Sequence, residues 1–150
     1  MALAVHADLT HYGIDTGLKW PNDIYEGNRK LAGILVELDY SGTCIEQAII
    51  GIGLNVNQKD FEAMSRKPIS MSMIAGHDFD RDTVLARVVT EFARYYRMLE
   101  QDDTEQLFTR YYSALMWRAS APGARRDAPP LSRHRNRHMH RDKAQARCAT

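Results

Sequence analysis

LKWPNDIYEGNRKLAGILVEL, residues 18–38, and the later run CIEQAIIGIGLNV, residues 44–56, decide the fold. Ile14 to Trp20 reads as a short extended segment, stopped at Pro21, which cannot donate to a sheet ladder. Asp23 to Asn28 is turn chemistry, with Gly27–Asn28 as the tip of a hairpin. Lys30 to Leu38 is a mostly apolar strand, Ser41–Gly42 marks the next turn, and Cys44 to Val56 is a second apolar strand. Extended runs joined by such short turns pair antiparallel.

Working outward, Ala2 to Tyr12 has loosely helical spacing (Leu3, His6, Leu9, Tyr12), and Gly13 is placed to end the helix. Residues 58–78 read as loop plus a short helix. Asp80 or Asp82 caps a longer helix whose stripe Leu85, Val88, Val89, Phe92, Tyr96 and Leu99 predicts its buried side. Thr104 caps another, with Leu107, Phe108, Tyr111, Tyr112 and Leu115 inward. Strands followed by helices predict an α+β fold, a mixed and largely antiparallel sheet with helices on one face.

Three polar side chains stand out in this frame. Asn22 and Asp23 sit at a strand tip, where a rigid scaffold often holds binding groups. A hairpin would return Lys30 to their neighbourhood, so an amide, a carboxylate and an ammonium could converge. A solvated hairpin with a surface salt bridge is the plainer alternative. Gly33, Gly51 and Gly53 interrupt apolar strands, which marks a bulge or a close approach. Gly51 and Gly53 share a face and leave a strip without side chains; it suits a ligand or a tightly packed helix equally. GIG is no dinucleotide fingerprint, because no helix pattern follows it directly.

The 150 residues suit one domain better than two, and 44% apolar with 26% charged residues is ordinary for a globular chain. No apolar run approaches the roughly 20 residues of a membrane helix, and no basic region precedes the first apolar residues. Cys44 and Cys148 lack metal-like spacing and are expected to be free thiols in a reducing cytoplasm. The formal net charge of +1 hides an asymmetry. Arg118 to Thr150 carries nine Lys/Arg against two Asp, while the residues before it hold 11 basic and 17 acidic groups. From Ala119 on, Leu131 is the only Leu, Ile or Val, so residues 118–150 are expected to be a disordered basic tail beside a domain at 1–117.

KWPNDIYEGNRKLAGILVE followed by IIGIGLNVN resembles the biotin–protein ligase family, in three segments of matching order and spacing. The resemblance spans roughly residues 2–116. It implies an α+β catalytic core of the biotin/lipoate ligase type, incomplete here at the N-terminus. It also implies that ATP, with Mg²⁺, activates biotin as biotinyl-5′-AMP. A lysine of a biotin carboxyl carrier protein, the acetyl-CoA carboxylase subunit, or of another biotin-dependent carboxylase then receives the biotin.

Carried over residue by residue, Lys30 contacts the biotin carboxylate and the α-phosphate, and Asp23 orients the incoming lysine. Asn22 lies near the phosphates and metal, with no direct metal-ligand motif in the chain. Gly33 and Leu35 line the biotin pocket, Gly51 and Gly53 form its floor, and Asn55 lies on the adenylate side. Trp20 reads as a packing anchor, or else as a wall beside the adenine. The implied setting is cytoplasmic, with a homodimer as an option.

Two departures from the family pattern carry expectations of their own. Nothing before Lys19 resembles the family's glycine- and arginine-rich loop, and Gly123–Ala124–Arg125–Arg126 is only an echo of it. Nor does a DNA-reading helix-turn-helix appear. After Trp117 the basic tail stands where members continue into a small β-rich domain, as a frameshift would produce. His134, His138 and His140 form no fixed metal shell there. The chain is therefore expected to be an inactive or impaired fragment. Two alternatives are a lipoate- or octanoate-type ligase of the same fold, and a non-catalytic remnant whose basic tail binds nucleic acid.

Overall fold

The computed structural model describes residues 1–61 and 68–116. The expectations for the tail, including Cys148 and the three histidines, lie outside the described residues. The elements run α1 (Ala2–His11), β1 (Gly17–Lys19), β2 (Asp23–Glu26), β3 (Arg29–Ser41), β4 (Cys44–Leu54), α2 (Met71–Ala75), α3 (Arg81–Glu100) and α4 (Thr104–Ala114). The strands form one sheet in the order β1-β2-β3-β4. Helices and an antiparallel sheet thus appear as the sequence predicts. Two compact units divide the chain: Met1–Leu35 with Gly51–Met116, and the outer hairpin Val36–Ile50. That outer hairpin leaves Val36, Leu38, Tyr40, Ile45 and Ile49 exposed.

Within the larger unit, α1 is seated by its apolar residues. Leu3, Ala4, Val5 and Leu9 are buried, and Gly13, at φ +73°, ends the helix as expected. Leu18, Ile24, Ala32 and Ile34 are buried with them. Asp23–Glu26 is a strand and not only a turn, which corrects the sequence reading. Its centre, Ile24 and Tyr25, is 0% and 3% exposed, and burial of those two side chains outweighs the flanking turn residues. Gly27–Asn28 is the hairpin tip, as predicted.

The helices correct the sequence in a second way. On α3 the buried residues are Val84, Val88 and Tyr95; Leu85, Val89, Tyr96 and Leu99 are exposed. The inward stripe is turned by about one residue, or 100°, from the predicted one. The cause is a charge. Arg87 Nε donates to Asp8 Oδ1 of α1 at 2.8 Å, and Asp8 is fully buried. A buried carboxylate needs its cation, so the Arg87 face must turn inward. Asp80 is the N-cap, accepting from the Thr83 N–H at 2.6 Å. α4 starts from Asp103 and not Thr104. None of its residues is fully buried, and Phe108 and Tyr112 are exposed. Trp20 is 76% exposed, so it is no packing anchor; it stands in the turn between β1 and β2, outside any apolar layer.

Candidate functional site

β2 and β3 pair antiparallel, with Asp23 opposite Gly33, Ile24 opposite Ala32, and then Tyr25 opposite Lys30. Leu31 is the extra residue, a β-bulge. This bulge determines where Lys30 points. In a regular strand Lys30 would share the face of Ala32 and Ile34, which is the buried one. One extra residue turns Lys30 onto the other face, beside Gly33 and Asp23. Leu31 itself is fully buried, which anchors the bulge.

On that face Lys30 Nζ lies 2.6 Å from Asp23 Oδ1, with side-chain exposures of 37% and 11% respectively. The carboxylate is held inside while the ammonium stays accessible. Gly33 makes room for the pair. A Cβ there would lie 3.1 Å from Lys30 Nζ, 3.3 Å from its Cε and 3.5 Å from Asp23 Oδ1. Gly51 and Gly53 differ from it. A Cβ on Gly53 would meet only the Gly33 carbonyl oxygen, at 3.9 Å, and one on Gly51 only Leu35 Cβ, at 3.9 Å, among the described residues. No described helix sits on the strip, so of the two readings the packed helix is not the one observed. The strip is open: Gly51, Gly53 and Leu35 are all exposed.

The remaining predicted residues frame this surface. Asn22 is exposed, and its carbonyl accepts from the Ile34 N–H at 2.8 Å, which fixes the turn before Asp23. The Asn55 N–H donates to the Leu31 carbonyl at 3.0 Å, tying the end of β4 to the bulge. Asn55 Nδ2 donates to the Ile69 carbonyl at 3.0 Å, and the Ile69 N–H donates to the Lys30 carbonyl at 3.0 Å. The segment from Pro68 to Met71 therefore buttresses Lys30 from behind. The sequence predicts loop plus a short helix over 58–78, and α2 is that helix; the contact with Lys30 is not predicted. The segment's one signal was Ser70, which caps α2 by accepting from the Met73 N–H at 3.3 Å.

A large open cleft, about 880 Å³, shares only Asn55 with these residues. Ile52 and Leu54 line it with Asn57, Asp80, Val84 and Leu85, and these two strand residues alternate with the glycines, so it opens from the opposite sheet face. Lys30, Asp23 and Gly33 do not line it. The candidate site is marked by its chemistry and not by this cleft. Among the described residues no group of three or more His, Cys, Asp or Glu could hold a metal ion.

Residues 1–55 match the model of the biotin/lipoate A/B protein ligase family. The chain is 40% identical over 88 residues to the bifunctional ligase/repressor BirA of Bacillus subtilis, which covers 57% of this chain and 27% of that one. It is 32% identical over 87 residues to the biotin–[acetyl-CoA-carboxylase] ligase of Paracoccus denitrificans, covering 55% of this chain and 36% of the relative. The biotin protein ligase of Aquifex aeolicus in complex with biotin and ATP superposes with a TM-score of 0.68 at 29% identity, covering 77% of this chain and 48% of that one. The chain thus spans about half of the structural neighbour, and 27% and 36% of these two curated relatives. In sequence and fold the chain is similar to protein ligases of the biotin/lipoate type. Within that class, the curated relatives and the structural neighbour to which the chain is similar are biotin–protein ligases.

Proposed function

We propose that this chain takes part in the ATP-dependent attachment of biotin to a lysine of a biotin carboxyl carrier protein, or of another biotin-dependent carboxylase. The observation that carries the reading is the accessible Lys30 ammonium, bulged onto an open glycine strip and 2.6 Å from a nearly buried Asp23. Biotin lies along Gly51 and Gly53 with its ring near Leu35, its carboxylate directed at Lys30. A carboxylate oxygen of biotin attacks the α-phosphorus of ATP, and pyrophosphate leaves. Lys30 stabilises charge on the carboxylate and the phosphoryl oxygens, a preorganised electrostatic role worth about 100-fold in rate. The acceptor lysine then attacks the acyl carbon and AMP leaves.

Asp23 accepts a hydrogen bond from that incoming amine, whose ordinary pKa of about 10.4 demands a group to receive its proton. Asn22 and Asn55 flank the nucleotide. Mg²⁺ arrives with ATP; with no carboxylate cage among the described residues, phosphate oxygens and water are its natural ligands and Asn22 a neighbour. The need for ATP puts the protein in the cytoplasm, as a monomer or a homodimer.

Biotin-dependent exchange between ATP and labelled pyrophosphate tests this reading, run in parallel with lipoate. Exchange with biotin alone that disappears in Lys30→Ala supports it. No exchange, equal exchange with lipoate, or exchange untouched by Lys30→Ala would sink it.

A further inference from the structure

We infer that Trp20 is a docking residue for the protein that bears the acceptor lysine, an inference that rests on the function proposed above. The acceptor is a lysine side chain on a folded domain, and Asp23, which must receive it, is only 11% exposed. The surface of the acceptor must therefore come within one side-chain length of Asp23, against whatever rims it. That rim is the turn Trp20–Pro21–Asn22, because Lys19 and Asp23 are opposite one another across the β1–β2 hairpin. The turn is fixed on the sheet through the Asn22 carbonyl and the Ile34 N–H, 2.8 Å apart. Trp20 projects from it at 76% exposure, the highest among the exposed large apolar side chains described.

At 76% exposure Trp20 adds little to the packing of the described residues. Tryptophan is the side-chain type most enriched among residues that dominate protein–protein binding. Its position just before Asp23 makes it a contact beside the acceptor lysine. The alternative, a wall for the adenine ring, predicts a defect in adenylation. Docking predicts a defect in transfer to protein only.

The full chain is compared with Trp20→Ala and Trp20→Phe in three assays. These are biotin-dependent pyrophosphate exchange, transfer from supplied biotinyl-5′-AMP to hydroxylamine, and transfer from the same donor to an apo biotin carboxyl carrier domain. Trp20→Ala should lower kcat/KM for the carrier domain about 30-fold, mainly through KM. Exchange and hydroxylamine transfer should stay unchanged, and Trp20→Phe should recover much of the loss. An equal loss in all three assays, or no loss with the carrier, overturns the docking role. Absence of exchange in the parent chain would overturn the underlying function, and the docking role with it.

Discussion

Lys30 and Asp23 make a pair whose worth to the fold is small. With the lysine more than a third exposed, the ion pair contributes about 1 kcal/mol or less. Lys30→Ala should therefore leave the urea midpoint nearly unchanged while exchange falls about 100-fold. Loss of both together would mean a structural lysine. Gly33→Ala separates position from charge. Its Cβ would sit 3.1 Å from Nζ, and the flexible lysine tip would yield before the backbone does. Stability should change by about 0.5 kcal/mol or less, with exchange lowered because the ammonium has moved. The convergence of Asp23 and Lys30 was legible from the hairpin spacing. The bulge at Leu31 that makes it possible was not, because an extra residue in an apolar run leaves no mark in the letters.

At the scale of elements, α1 carries two titratable groups, a buried Asp8 and a half-buried His6, whose effects oppose each other. Burial pushes the Asp8 carboxyl up from 3.8, against the pull of Arg87. Just above 3.8 the folded chain holds a proton that the unfolded chain has lost. Stability therefore falls as pH rises through that window, and the penalty persists above it. Burial pushes His6 down from 6.5, with Asp15 opposing, while its Nδ1 lies 2.7 Å from Thr16 Oγ1. Here the unfolded chain holds the extra proton, so stability is lost as pH falls below 6.5. Urea melts from acid to neutral pH should lose the first slope in Asp8→Asn and the second in His6→Gln.

Arg87→Ala should cost about 3 kcal/mol at neutral pH by stranding a buried carboxylate. The same contact explains why the α3 stripe was misread. Leu85, Val89, Tyr96 and Leu99 form as good an apolar series as the buried one, and only a charge 79 positions away decides between them. Helix α3 itself was legible, cap included. Asp80→Ala should destabilise it, seen as lower helicity on heating, because the carboxylate is held below its ordinary range by the Thr83 hydrogen bond.

Across the whole molecule, apolar side chains remain in water on α3, α4 and the outer hairpin. Such exposure exceeds what isolated surface leucines explain and favours association. Leu85→Lys with Val89→Lys should reduce binding of a hydrophobic dye and concentration-dependent sedimentation. The unfolding midpoint should hardly move, because both side chains are exposed; a collapse of the fold would show that they belong to its core. The architecture was legible because hairpin turns and strand length are local signals. The orientation of the helices depends on distant partners that a local pattern does not contain.

Calorimetric titration of the full chain with biotinyl-5′-AMP, beside Lys30→Ala, tests the central claim most directly. If the bulged lysine and the open glycine strip are the biotin and adenylate site, the chain binds the adenylate. Lys30→Ala then weakens binding by about 100-fold with its unfolding midpoint unchanged. Equal affinity in the two proteins, or no binding by a folded parent chain, would contradict it.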